Sequence, residues 1–218
     1  MKTLFNGILF DLDGTLIDST ADIAGAVNHA RKEMNMTPLP LETVRTCIGD
    51  GVHILMERAL ETRDSAVIDR AIALWRPHYL AHCLEHTRLY PGVMNMLNAL
   101  ASGGMNLGVV SNKPAAPSET ILNGLGVRKL FAAVVGGDST PKRKPDPEPL
   151  RFALEQMKIT SKRVLVVGDS LNDIEAARRA GLISCGVLWG IGYEETVRAA
   201  RPDHLAQTPA DVLEIVHP

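Results

Sequence analysis

From Pro91 onward the sequence alternates between two periodicities, and that alternation limits the fold more than any other feature of the chain. Helical spacing over 93–101 stops at Gly103-Gly104, helical stretches follow at 114–123, 146–157 and 172–180, and further helices start at Tyr193 and Pro209. Between them lie short apolar runs at 106–110, 132–135, 163–167 and 182–188. Strands separated by helices cannot close as hairpins and pair in parallel through crossovers. The expected class is therefore α/β, a doubly wound parallel sheet. One more strand stands apart from this series. Gly7-Ile8-Leu9-Phe10 reads as a buried strand, but the segment 20–81 behind it is helical and holds no good strand. Its apolar faces are Ile23, Val27, Ala30 and Met34, then Val52, Leu55, Met56, Ala59 and Leu60, then Val67, Ala71, Leu74, Trp75 and Tyr79. Pro77 is expected to kink or interrupt the last of these. The helical block is thus an insertion between the first strand and its sheet, and a lid over the carboxyl edge of the sheet is its simplest placement.

Length and composition agree with one large domain or a domain with a smaller insert. The chain has 218 residues, 45% hydrophobic and 22% charged, enough to bury a core. A formal charge of −2 with scattered Lys and Arg offers no general attraction to nucleic acid or to an anionic membrane. Cys47, Cys83 and Cys185 are odd in number and far apart, so neither a disulfide framework nor a zinc site is indicated, and a reducing cytoplasm fits best. No segment has the form of a signal peptide or a transmembrane span. His78, His82 and His86 recur every four residues, a spacing that would stack them on one helical face, but no carboxylate motif accompanies them and no metal is assigned there. Trp75 and Tyr79 read as apolar core, and Cys47 as a bystander thiol.

The residues that follow the strands carry the chemistry. Phe10 runs into Asp11-Leu12-Asp13-Gly14-Thr15, which places two carboxylates at the carboxyl end of a strand, where open α/β sheets bind their ligands. Alternation sets both on one side of the strand, about 7 Å apart. Like charges that close call for a cation or for protonation of one of them. Taken alone, Asp-Gly-Thr is also an ordinary turn with a helix cap, and this segment does not decide between the two. Other strand ends supply partners. The run 106–110 leads into Ser111-Asn112-Lys113, suited to an anion, and 163–167 leads into Gly168-Asp169, with Asp173 four residues on. Lys144, in Lys142-Arg143-Lys144-Pro145, offers fixed positive charge. Several carboxylates converging on one edge repel one another, and Mg²⁺, a hard cation that takes oxygen ligands, is the natural remedy.

As a set these segments resemble the four motifs of the haloacid dehalogenase-like hydrolase superfamily: Asp11 to Thr15 the first, Ser111 to Lys113 the second, Lys144-Pro145 the third, and Gly168-Asp169-Ser170 with Asp173 the fourth. The resemblance implies a Rossmann-like catalytic core over 1–18 and 89–218, with an inserted helical C1 cap over 19–88. It also implies that Asp11 attacks phosphorus, and that Asp13 protonates the leaving oxygen and then activates water. Ser111, Asn112 and Lys144 would hold the phosphoryl group. Mg²⁺ would sit on Asp11, the Asp13 backbone carbonyl and Asp169, with Asp173 acting through water or by orienting Lys144. An acid two residues after the nucleophile is what phosphate esters need, and the dehalogenases and phosphonatases of the superfamily lack it. Within the superfamily, Arg45-Thr46-Cys47-Ile48-Gly49-Asp50-Gly51, the Leu55 to Leu60 segment and Tyr90-Pro91-Gly92-Val93 resemble the phosphoglycolate phosphatases. That implies a small phosphate ester as substrate, with Arg45, Gly49, Gly51 and Arg58 shaping the leaving-group pocket from the cap, in a monomer or homodimer. Other sugar phosphates or pyrophosphate, a phosphosugar mutase and a catalytically silent regulatory module remain as alternatives.

Overall fold

A computed structural model describes residues 4–217. In chain order the elements are β1 (Gly7–Phe10), β2 (Ile17–Asp18), α1 (Thr20–Glu33), α2 (Leu41–Arg45), α3 (Val52–Leu60), α4 (Ser65–His82), β3 (Arg88–Leu89), α5 (Val93–Ser102), β4 (Asn106–Val110), α6 (Ala115–Gly124) and β5 (Ala133–Val135). There follow α7 (Glu148–Gln156), β6 (Val164–Gly168), α8 (Leu171–Ala180), β7 (Ile183–Val187), α9 (Glu194–Ala199), β8 (His204–Ala206) and α10 (Pro209–Val216). Six strands form one parallel sheet in the order β5-β4-β1-β6-β7-β8. The fold is α/β with the first strand at its centre, as the alternation requires.

Each central strand is buried on both faces, so its residues divide by alternation between two cores. Ile8, Phe10, Leu107, Val109, Leu165 and Val167 face one side, where they join residues of α1, α3, α4, α5, α6 and α10 in a single apolar cluster. Leu9, Val110, Val135, Val164 and Val166 face the other, against α7 and α8. Because Met56, Ile68, Trp75 and Tyr79 belong to the first cluster, the inserted helices share apolar packing with the sheet. Helix α4 runs through Pro77 without interruption. The missing N–H removes one helical hydrogen bond, and burial of Trp75 and Tyr79 on either side of Pro77 helps to keep the segment helical. The histidine triplet does not share a face. His78 stacks on His29 of α1 at a ring separation of 4.0 Å, and His82 lies tilted against His78 at 4.3 Å. His86 lies beyond the end of the helix.

Two features that spacing could not announce bracket the insertion. β2 and β3 pair antiparallel, Ile17 with Leu89 and Asp18 with Arg88, and so bring the start and end of the helical block together. Beside them Asp22, buried in the first turn of α1, accepts hydrogen bonds from the backbone N–H of Thr87 (2.8 Å) and of His86 (3.0 Å), and from Thr87 Oγ1 (2.7 Å) and His86 Nδ1 (2.9 Å). Burial opposes its ionisation, but these donors outweigh it and bring Asp22 below its ordinary value of 3.8. A carboxylate lowered in the folded state adds stability above that ordinary value, and the contribution disappears as pH falls through the lowered one. Asp22→Ala leaves several donors without an acceptor and is expected to destabilise the fold by about 3 kcal/mol at neutral pH. Urea unfolding at pH 7 and pH 3 checks this: the difference between variant and wild type should shrink at the lower pH, and equal midpoints at pH 7 would remove the role given to Asp22.

Candidate active site

The site lies at the carboxyl edge of the sheet, on the loops that follow β1, β4, β5 and β6. Strand order reverses at β1, which is flanked by β4 and β6, and that switch point leaves a crevice between loops leading to opposite faces. Asp11 follows β1, Ser111 follows β4, Lys144 lies between β5 and α7, and Asp169 follows β6. A cavity of about 200 Å³ opens there, with Asp11, Asp13, Ser111, Asn112 and Asp169 on the core side.

The carboxylates fall into two separate arrangements. Asp11, Asp169 and Asp173 each offer an oxygen within 4.8 Å of the others, and among the described residues no other such group of potential metal ligands occurs. Lys144 sits among them. Its ammonium donates to Asp11 Oδ1 (2.8 Å), Asp173 Oδ1 (2.6 Å) and the carbonyl of Val110 (2.6 Å), which uses all three of its protons. Although burial opposes its charge, Asp11 and Asp173 raise the Lys144 pKa above its usual range. Lys144 is not among the residues that line the cavity; its ammonium lies against Asp11 and holds it. Asp173 is similarly engaged, with Oδ2 accepting from the N–H and Oγ of Ser170 at the start of α8.

Burial pushes Asp11 up to about 6, Lys144 pulling against it, and pushes Asp169 up to about 7, with Asp11 and Asp173 adding to the effect. Three buried carboxylates around one lysine hold excess negative charge, and their hard oxygen donors fit Mg²⁺. Asp13 belongs to the other arrangement. Its side chain supplies no oxygen to the three-acid cluster; both oxygens accept from Lys113 Nζ (2.9 and 2.8 Å) and Oδ1 accepts from Ser19 Oγ (2.5 Å).

A loop after β7 completes the cluster, and spacing gave no sign of it. The N–H groups of Ile191 and Gly192 donate to Asp169 Oδ2 at 2.9 and 2.8 Å. Gly14, at φ +84°, and Gly190 flank the same carboxylate so closely that a Cβ on either would overlap it. The available signal was the glycine pair in Trp189-Gly190-Ile191-Gly192-Tyr193, since close backbone approach to a buried anion selects glycine.

The inserted block supplies the opposite wall: Arg45, Thr46, Ile48, Gly49, Gly51 and Trp75 line the cavity. Asn112 Nδ2 donates to the carbonyls of Gly49 (3.1 Å) and Lys144 (3.0 Å), so its amide nitrogen joins the two walls and is not free for a phosphate. Asn172 Nδ2 donates to Asp50 Oδ1 at 2.6 Å across the same seam. Arg45 donates to the carbonyl of Gly190 at 3.2 Å. Arg58 pairs with Asp50 at 2.6 Å, within the Gly49–Gly51 loop, and is not among the residues that line the cavity. Cys47 is a buried thiol whose Sγ contacts the carbonyl of Thr43, and burial raises its pKa.

Sequence comparison agrees with this geometry. The haloacid dehalogenase-like hydrolase family matches residues 8–187, from β1 through β7 and across Asp11, Asp13, Ser111, Lys144, Asp169 and Asp173. The chain belongs to that family. Among its relatives, the phosphoglycolate phosphatase of Colwellia psychrerythraea is 36% identical over 215 residues, 94% of either chain. That of Nitrosospira multiformis is 44% identical over 179 residues, 80% of this chain and 79% of its own. That of Escherichia coli K12 is 37% identical over 228 residues, covering 95% and 90%. A crystal structure described as a predicted phosphoglycolate phosphatase from Haemophilus somnus superposes with a TM-score of 0.92 at 34% identity, covering 99% of each chain. As a member of this family the protein is a hydrolase. Among the described residues no helix is long and apolar enough to cross a membrane.

Proposed function

We propose that the protein is a Mg²⁺-dependent phosphomonoesterase that hydrolyses 2-phosphoglycolate to glycolate and phosphate, with residues 19–88 acting as its cap and the reducing cytoplasm as its setting. The observation that carries this reading is the division of labour between the two neighbouring acids. Asp11 lies against Lys144 in the three-carboxylate cluster, and Asp13 lies outside it on Lys113 and Ser19. An ionised Asp11 attacks phosphorus, the bond to the leaving oxygen breaks, and Asp13 gives that oxygen a proton, which yields an aspartyl phosphate and the alcohol. Asp13, now a base, takes a proton from water as it attacks the aspartyl phosphate; phosphate leaves and Asp11 is restored. Lys144 keeps Asp11 ionised and in place, and the Ser111 hydroxyl borders the phosphoryl position. Bound by Asp11 and Asp169, Mg²⁺ supplies positive charge to the phosphoryl oxygens and lets these buried acids ionise together.

The relatives named phosphoglycolate phosphatase support the choice of substrate, and so does a donor on the cap wall. Arg45 lines the cavity, and its partners among the described residues are the Gly190 carbonyl and a distant Glu42 (3.9 Å). Trp75 also lines it. The Arg45 guanidinium suits the carboxylate of a glycolate leaving group. Arg45→Ala is expected to lower kcat/KM for 2-phosphoglycolate about 10- to 100-fold, the value of a charge-assisted contact, with ethyl phosphate unchanged. Phosphate and glycolate release by the wild-type enzyme, compared over a panel that includes β-glucose 1-phosphate, tests the function itself. Glucose 6-phosphate as product would identify a mutase, and no release from any ester would refute the hydrolase reading of this site.

A further inference from the structure

Lys113 has no assigned part in the chemistry above, yet it is one of the most fully buried charges in the molecule, its side chain 4% exposed. Its Nζ faces two ways. On one side lie both oxygens of Asp13, at 2.9 and 2.8 Å. On the other lies the ring of Tyr79, 4.8 Å to the centroid, on helix α4 of the inserted block. Tyr79 in turn stacks on Trp75, with centroids 4.6 Å apart and planes at 14°, and Trp75 lines the cavity. A methionine would fill the same space against an aromatic ring without the cost of burying an ammonium, so packing does not explain the charge. The Asp13 carboxylate does. Two contacts to one carboxylate fix its rotamer and its plane, which a single hydrogen bond from Ser19 leaves free to turn.

We propose that Lys113 is the positioning residue for Asp13: it holds the carboxylate where the proton can pass to the leaving oxygen, and through Tyr79 it makes that position depend on the seating of the cap. The inference rests on the reading of Asp13 as acid and base. Its signature is selectivity for the leaving group. An alkoxide cannot depart without a proton, whereas p-nitrophenolate departs without help, so loss of Asp13 placement should block the first step for alkyl esters only. Hydrolysis of the aspartyl phosphate, which needs the same group as base, should be slow for both.

The test is stopped-flow and steady-state kinetics of Lys113→Met, Tyr79→Leu and Asp13→Asn with Mg²⁺. Lys113→Met is expected to lose about 10²-fold or more in kcat on 2-phosphoglycolate, yet to give a burst of p-nitrophenolate near the wild-type rate before slow turnover. Tyr79→Leu, which leaves the Lys113–Asp13 pair intact, should lose about tenfold in kcat with KM unchanged and keep the burst. Lys113→Met turnover of 2-phosphoglycolate within threefold of wild type, or equal loss of burst and steady rate, would overturn the proposal. Wild-type kcat in Tyr79→Leu would overturn the link to the cap. Asp13→Asn separates the two levels. If it shows no burst pattern, the acid–base reading of Asp13 is wrong; if it shows one that Lys113→Met lacks, only the role of Lys113 fails.

Discussion

Asp11→Asn is expected to abolish phosphate release, with kcat reduced by at least about 10⁴-fold, while making the metal-free protein more stable. The loss of activity follows from the chemistry: an amide has no anionic oxygen to attack phosphorus and no negative charge for a divalent cation. The gain in stability follows from the cluster. Asp11 is raised to about 6 in the folded chain because burial, with Asp173 and Asp13 nearby, disfavours its ionised form despite Lys144. A carboxyl group raised on folding weakens the fold above that value and has no such effect below its unfolded value of 3.8. An isosteric neutral amide removes the penalty and still accepts from Lys144. Melting in EDTA should therefore show Asp11→Asn above wild type at pH 8, with the gap closing towards pH 4. Full turnover in freshly prepared Asp11→Asn would exclude Asp11 as nucleophile. A variant melting below wild type at pH 8 would mean that Lys144 outweighs the repulsion in the cluster. A nucleophile kept at the expense of stability is the compromise expected where function needs a buried, charged group.

How much of this was legible in the residues depends on the physical range of each signal. Strands β1, β4 and β6 are buried on both faces, so their apolar runs stand out, and the acids and hydroxyl at their carboxyl ends follow from the parallel sheet alone. β2 and β3, two residues each, are too short to carry a period. β8, at the sheet edge and mostly exposed, has no apolar run to read. Side-chain partners were harder still. The contacts of Lys144 with the Val110 carbonyl and Asp173 depend on the positions of β4 and α8, which the Lys144-Pro145 segment does not carry in its own residues. Asp22 and Thr87 are 65 residues apart, and their bond exists only because β2 and β3 bring the ends of the insertion together. Arg58 and Arg45 share a chemistry and a neighbourhood, and the turn of α3 decides that one meets Asp50 and the other the cavity.

Lys144→Met should produce the largest loss of stability among the site variants, and one that a cation partly reverses. The lysine side chain is 3% exposed and all its protons are committed, to Asp11, Asp173 and the Val110 carbonyl. Methionine fills a similar volume, so the cavity left is small and the effect isolates the charge. Removing one partner of a buried ion pair costs about 3–5 kcal/mol. For a chain of this size that is a fall in Tm of about 10 °C. The three acids Asp11, Asp169 and Asp173 then remain without the lysine, so saturating Mg²⁺ should raise the melting temperature of the variant more than that of wild type. Lowering the pH should do the same by protonating the acids. In the wild type Lys144 stays charged throughout, its pKa held above the usual range by Asp11 and Asp173 against the burial that opposes it, so the pH dependence belongs to the carboxylates in both proteins. Turnover with Mg²⁺ should remain depressed by about 10²- to 10³-fold, because Mg²⁺ restores charge without restoring the contact that aims Asp11. The decisive measurement is a double-mutant cycle with Asp173→Asn, melted in EDTA at pH 8. If repulsion among the acids is what Lys144 offsets, the double variant should recover part of the stability lost by Lys144→Met, whereas purely additive losses would assign the lysine a packing role.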